Sequence, residues 1–205
     1  MPLFLRTLIG LVAAGCIVAL AYFAYSHFFA TTVVSDNTVT STVQDITPAP
    51  GFAAVSTATP VLDPNADAPR TLPSGMQEYR NATYHLSLFY PNDLSVKTYD
   101  EGAGASTVTF QDVSTAQGFQ MFIVPYSQQQ ISTARFQEDE PSGVMQSPLN
   151  IKIDGIAATS FYSTNAALGD TAEIWFLRGG YLYEVTAPKS EAAWFSEIMN
   201  TWQFI

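Results

Sequence analysis

The sequence has few of the side chains on which catalysis and metal binding usually depend. Its 205 residues include one cysteine, Cys16, and two histidines, His27 and His85. One thiol cannot form an intramolecular disulfide, and a zinc site needs three or four Cys, His or carboxylate ligands. Because histidine is the commonest proton carrier at neutral pH, a histidine-based mechanism would depend on His85 alone. We therefore expect no catalytic residues, no cofactor and no metal site.

Basic residues are also scarce. The chain has 8 Lys and Arg against 18 Asp and Glu, which gives a formal net charge of −10. Such an excess of negative charge opposes attraction to phosphate backbones, so we do not expect nucleic acid as a partner. The glycine patterns of dinucleotide-binding and P-loop proteins are missing from the sequence as well.

One long stretch without charged side chains points to a membrane. Residues 7–29 contain no Asp, Glu, Lys or Arg, and at about 1.5 Å per residue such a helix exceeds a bilayer core of ~30 Å. Arg6 precedes the stretch, and the next basic residue is Arg70. Because basic residues favour the cytoplasmic side, we predict a cytoplasmic segment at 1–6, a single-pass anchor in the lipid bilayer at 7–29, and an extracytoplasmic remainder.

Two alternatives for this stretch stay open. A cleaved secretory signal needs small residues at the −3 and −1 positions of its cut site, and before residue 31 these positions hold Phe28 and Ala30. The sequence AAGC at 13–16 resembles a bacterial lipoprotein cleavage box, in which Cys16 would carry a lipid. The apolar run continues past that cysteine to Phe29, so an uncleaved anchor is favoured over both.

The next segment has the composition of a linker. Residues 30–78 are rich in Thr, Ser, Ala and Pro and hold few large apolar side chains. Such a segment buries too little surface to offset the entropy lost when its backbone is ordered. We predict a disordered linker at 30–78 and one domain at 79–205.

The domain reads mostly as strands, because aromatic and β-branched residues alternate between frequent turn residues. Strands are predicted at 84–90, 95–100, 105–111, 118–126, 150–153, 156–164, 171–178 and 181–187. A short helix is predicted at 132–139. A second helix follows Ser190, with an apolar stripe of Trp194, Phe195, Ile198, Met199 and Trp202.

Tight turns determine how these strands pair. Gly179-Gly180 suits a two-residue hairpin loop, which would pair Phe176 with Tyr183 and Trp175 with Glu184. One face would then carry Ala172, Ile174, Phe176, Tyr181, Tyr183 and Val185 and receive the final helix. Short connections imply antiparallel pairing. The predicted fold class is α+β, a mainly antiparallel sheet with packed helices after one transmembrane helix.

Four stretches of the domain carry a resemblance to a family. They are YHLSLFYP at 84–91, DGIAA at 154–158, GDTAEIWF at 169–176 running on to GGYLYEV at 179–185, and IMNTWQF at 198–204. Over 79–205 the chain resembles uncharacterised membrane-anchored bacterial proteins with a PsbP-like domain. The resemblance implies an α-β-α sandwich around an antiparallel sheet. The fold's relatives, which include the PsbP subunit of photosystem II and a Ran-binding nuclear import factor, mostly bind other proteins.

The opposite face of the hairpin holds the candidate site. In the register above, Glu173 and Glu184 lie diagonally beside Trp175. Carboxylates beside an aromatic ring suit a cation or a sugar, or form an acid–base pair. The alternative is that the acids pair with Lys or Arg while the other helical layer covers Trp175. The run at 138–140 is predicted to be solvated charge.

These observations predict a membrane-tethered extracytoplasmic interaction module that is not an enzyme and binds a cell-envelope protein or glycan. Two other functions stay open. One is a carboxylate-dependent hydrolase acting on envelope polysaccharide, which requires an open cleft with two facing acids. The other is a structural or assembly subunit with no separable ligand.

Overall fold

Two antiparallel sheets make up most of the chain that the computed structural model describes, namely residues 49, 51–52 and 70–205. The strands are β1 (Met76–Asn81), β2 (Leu86–Pro91), β3 (Ser95–Gly102), β4 (Ala105–Gln111), β5 (Gly118–Pro125), β6 (Gln146–Ile153), β7 (Ile156–Asn165), β8 (Gly169–Arg178), β9 (Tyr181–Pro188) and β10 (Gln203–Phe204). The helices are α1 (Thr133–Asp139) and α2 (Ala192–Met199), and a 3-10 turn at Lys189–Glu191 leads into α2.

The strand order follows from short connections. The large sheet has the order β3-β4-β5-β9-β8-β7-β6, and the small sheet has the order β1-β2-β10. Each strand pair in both sheets is antiparallel. The predicted mainly antiparallel α+β fold is therefore confirmed for the described residues.

The predicted membrane anchor at 7–29 lies outside the described residues, as do Cys16 and most of the predicted linker. Within the described ranges, no helix is long and apolar enough to cross a bilayer.

The β8–β9 hairpin has the predicted register. Gly179 and Gly180 both adopt positive φ angles, +61° and +83°, which a side chain would disfavour. Phe176 consequently pairs with Tyr183, and Trp175 pairs with Glu184. Alternate side chains of β8 and β9 therefore point to opposite sides of the large sheet. We call the side with Phe176 and Tyr183 the first face and the side with Trp175 and Glu184 the second face.

The first face of the large sheet forms the main core. Ile174, Phe176 and Val185 are buried there, together with Phe195 and Ile198 of α2. The inner side chains of the small sheet join the same cluster. The prediction that the final helix packs on this face is confirmed.

Strands β1 and β10 were not predicted, and some boundaries differ from prediction. Helix α2 ends at Met199, so Trp202 of the predicted stripe lies beyond it. Strand β1 begins three residues before the predicted domain start, and its polar sequence, MQEYRN, gives little alternation to detect because it is an edge strand. Strand β2 begins at Leu86, because His85 has a φ of +52° and belongs to the preceding turn. The N-terminal half of β6 was missed because Pro148 and a register shift interrupt it.

The end of the predicted linker packs on the small sheet. The guanidinium of Arg70 lies 4.0 Å from the centre of the Phe89 ring. It also donates hydrogen bonds to the Ser87 hydroxyl at 3.0 Å and to the Thr201 carbonyl at 2.5 Å. Contacts with the domain therefore begin well before the predicted boundary at residue 79.

Candidate functional site

The second face of the large sheet brings the three predicted site residues together. Trp175 pairs directly with Glu184, and Glu173 lies two residues along the same strand. Their exposed fractions are 1% for Glu173, 1% for Trp175 and 7% for Glu184. All three side chains of the predicted ligand or partner face are therefore buried under other residues.

Part of this cover is a cluster of aromatic rings. We use the name aromatic groove for the site formed by Phe136 of α1, Phe161 of β7 and Trp175 of β8, with Ile131 and Leu177 beside them. Phe136 lies 5.6 Å from Trp175 and 5.9 Å from Phe161, centre to centre, in edge-on geometry. Edge-on pairs of this kind are favourable beyond the area they bury.

The groove holds a side chain from the predicted linker. The ring of Phe52 lies 5.9 Å from Phe136, 6.0 Å from Phe161 and 5.8 Å from Trp175. Phe52 itself is only 9% exposed. It is the only aromatic residue within 30–78. The occurrence of one aromatic residue in a segment otherwise without them was the one signal in the sequence that could have identified Phe52 as part of the site.

Beside the groove lies a set of buried acids, which we call the acid cluster: Asp139, Glu140, Glu173 and Glu184, with Arg135. Arg135 forms an ion pair with Asp139 and donates a second hydrogen bond to it at 2.6 Å. Its Nη2 atom lies 3.7 Å from Oε1 of Glu184. Arg135 contacts two of these carboxyl groups, while Glu140 and Glu173 are buried, so keeping all four acids charged is costly and burial favours their protonated forms.

Glu173 is the most protected of these acids. Burial raises the pKa of Glu173 to about 8, although hydrogen bonds from neighbouring side chains oppose the shift. Thr186 donates to Oε2 at 2.7 Å, and the Trp175 indole donates to the same oxygen at 3.3 Å. Oε1 is buried without a described hydrogen-bond partner. Glu173 therefore holds a proton at neutral pH.

The other acids are shifted in the same direction. Burial raises the pKa of Glu184 well above its usual range, and the neighbouring Asp139 raises it further. Burial also raises the pKa of Asp139, although Glu184 and Arg135 oppose this shift. The pKa of Glu140 is raised by burial too, even though Ser163 donates to it at 2.5 Å. The prediction of solvated charge at 138–140 was therefore wrong for the last two residues of that run.

The remaining sequence candidates do not join this site. His85 is exposed in the turn before β2, while Ser87 is fully buried and accepts a hydrogen bond from Arg70. The predicted strand position of His85 beside Ser87 was wrong. Across residues 49, 51–52 and 70–205, no group of three or more His, Cys, Asp or Glu side chains could hold a metal ion.

The described chain is thus a mainly antiparallel sheet domain with few helices. No family model and no curated protein matches the sequence. The chain is similar to the solution structure of cyanobacterial PsbP (CyanoP) from Synechocystis sp. PCC 6803. The two are 13% identical, the match covers 64% of this chain and 93% of that chain, and the TM-score is 0.47. A functional proposal must therefore rest on the residues of this chain.

Proposed function

We propose that this protein is a membrane-tethered extracytoplasmic interaction module with a PsbP-like domain, and that its second sheet face binds a cell-envelope component. One observation carries the proposal: the aromatic groove already holds Phe52, a side chain from the chain segment that precedes the sheets. A site that accepts an aromatic side chain from a chain segment is suited to peptide recognition, since buried aromatic anchors dominate such interfaces.

The membrane tether is supported by the uncharged stretch at 7–29 and by Arg6 before it. The PsbP-like assignment is supported by the four sequence stretches described above, together with the antiparallel sheet. An α-β-α arrangement is consistent with α2 on the first face and α1 on the second.

The test is a pull-down from detergent-solubilised envelope with the full-length protein, comparing wild type with Phe52→Ala. Removing the Phe52 ring opens the groove, so we expect the variant to retain more of one partner. Val113→Ala is the matched control, because Val113 is 79% exposed and lies in the loop after β4. If neither protein retained a saturable partner at moderate salt, the interaction function would be rejected.

The acid cluster favours a second candidate, a carboxylate-dependent hydrolase acting on envelope polysaccharide. Glu173 keeps its proton at neutral pH, as a general acid must, because burial raises its pKa to about 8. The cover over Glu173 would have to open for substrate to enter.

Release of reducing sugar from isolated envelope glycan by wild type, but not by Glu173→Gln, would favour this function. No release by wild type or by Phe52→Ala would eliminate it.

A further inference from the structure

The segment in the aromatic groove is a turn. The backbone N–H of Phe52 donates to the carbonyl of Ala49 at 3.2 Å, and Gly51 has a φ of +89°. The sequence between them is Pro50-Gly51, the pair favoured at the centre of a type II turn. Ala49 in turn donates to the carbonyl of Ile131 at 3.0 Å. The turn therefore presents one aromatic ring to the groove.

Residue 51 must be glycine for the turn to fit. A Cβ atom added to Gly51 would lie 2.5 Å from the sulfur of Met145 and 3.1 Å from Cβ of Pro148. Its positive φ would also strain any residue with a side chain. The site therefore selects a segment that has glycine immediately before the aromatic residue.

The Phe52 ring leaves room beside it. A partly open pocket of about 170 Å³ borders the ring and is lined mainly by apolar groups, with Ile131, Trp175 and Leu177 among its lining residues. A larger ring placed there would bury more apolar surface and gain van der Waals contacts. A tryptophan at this position has more ring area to place there than a phenylalanine.

The described contacts of the turn with the domain are one backbone hydrogen bond and apolar packing. The structure describes one backbone hydrogen bond between the turn and the rest of the domain, that from Ala49 to Ile131. The Phe52 ring and the buried Ala49 side chain pack in the same apolar cluster, and Gly51 lies against Met145 and Pro148. A peptide with the same turn can make these contacts in place of the internal segment.

We propose that the aromatic groove is a recognition site for a peptide segment bearing a Pro-Gly-aromatic turn, with tryptophan preferred. Ala49, Gly51 and Phe52 occupy this site as a displaceable internal substitute. This inference rests on the proposed function, since it names the chemistry of the partner. The internal turn competes at an effective concentration on the order of millimolar because it belongs to the same chain. A partner binds only by displacing Phe52 and contacting Trp175 in its place.

The test measures binding of a fluorescein-labelled peptide with the sequence of residues 46–53 to full-length protein in detergent micelles. Fluorescence polarisation is recorded for wild type, Phe52→Ala and the control Val113→Ala. We expect the peptide to bind Phe52→Ala at least tenfold more tightly than the other two proteins. A peptide with Trp at the Phe position should bind more tightly still, and peptides with Ala at the Phe or the Gly position should lose binding.

A second variant tests whether the effect of Phe52→Ala comes from a folding defect. Gly51→Ala keeps the Phe52 ring but prevents the turn from seating, so it should also bind the peptide more tightly than wild type. Circular dichroism establishes that both variants keep the wild-type strand content. Equal peptide binding by wild type, Phe52→Ala and Gly51→Ala, or no binding by either folded variant, would overturn the inference.

The two proposals fail in different ways. Capture of an envelope partner that is indifferent to Phe52→Ala and is not displaced by the Trp peptide would overturn this inference while the interaction function stands. Tight peptide binding without capture of any envelope component would instead support recognition of the turn and reject the envelope partner.

Discussion

At the scale of single side chains, the acid cluster is where the protein responds to pH. Glu173 has a pKa raised by burial to about 8, whereas an unfolded glutamate titrates near 4.5. Between these values the unfolded chain has released a proton that the folded chain still holds. The free energy of unfolding therefore decreases as pH rises through this window. The stabilising contribution of Glu173 is complete only below pH ~4.5, where the carboxyl group is protonated in both states.

Replacing Glu173 by Gln should remove this part of the pH dependence. Glutamine keeps the acceptor for Thr186 but cannot ionise. We expect the slope of stability against pH between 5 and 8 to become shallower by up to about 1.4 kcal/mol per pH unit, the value for one proton. Urea unfolding at pH 5, 6, 7 and 8 measures it. Parallel curves for wild type and variant would contradict the raised pKa.

Arg135 is the cation that the acid cluster contains. Replacing Arg135 by Met keeps the apolar stem but leaves Asp139 and Glu184 without the guanidinium. We expect a loss of roughly 3 kcal/mol at pH 8, where unpaired buried acids are costly. The loss should be smaller at pH 5, because burial raises the pKa of both acids and a lower pH favours their neutral forms. Lys152→Met, at an exposed position of β6, is the control. An equal loss at both pH values would show that only packing is affected.

At the scale of elements, α1 is a short helix that depends on its cap. The Ser132 side chain accepts a hydrogen bond from the backbone N–H of Arg135 at 3.1 Å. The helix has seven residues and places Phe136 over the sheet, so loss of the cap should loosen the cover of the second face.

Ser132→Ala should lower the free energy of unfolding by about 1 kcal/mol, the usual value for a lost N-cap. Asn at the same position should restore most of it, since its side chain also caps. Ser127→Ala is the matched control, in the exposed loop before α1. Thermal unfolding followed by circular dichroism compares the four proteins. A Ser132→Ala midpoint equal to that of the control would show that the cap contributes nothing.

At the scale of the whole molecule, one sheet supports two cores. The strand pair β8–β9 contributes Phe176 and Tyr183 to the first face, and Trp175 and Leu182 to the second. Because the same backbone holds both sets of side chains, we expect the domain to unfold as one cooperative unit.

Phe195→Ala tests this cooperativity. Phe195 of α2 is 2% exposed, so its truncation should cost about 3–5 kcal/mol. Tryptophan fluorescence reports Trp175 on the second face as well as Trp202 on the first, and should shift together with circular dichroism. The control is Ser196→Ala, an exposed position on the same helix. Separate transitions from the two signals would mean that the faces unfold independently.

The attachment of the domain to the preceding chain is also a property of the whole molecule. Phe52 and Arg70 both lie in the segment predicted as a linker, and both pack on the sheet domain. The first described contact of the domain is at Ala49, thirty residues before the predicted boundary at residue 79.

Local sequence patterns predicted eight of the ten described strands, the register of the β8–β9 hairpin and the final helix on the first core. Gly179-Gly180 and the alternation of side chains in β8 and β9 are local signals, because backbone conformation and strand period depend on neighbouring residues. The register from Phe176 to Tyr183 follows directly. The apolar stripe of α2 needed only its own spacing to be recognised.

Only the tertiary structure decided the character of the second face. Glu173 and Glu184 are polar in sequence, and whether they face solvent depends on α1 and Phe52, which come from distant parts of the chain. Residues 30–78 are poor in large apolar side chains as a whole, so their composition did not indicate that the single ring of Phe52 packs on the domain. Burial and pKa depend on what packs against a residue, and that information is not local.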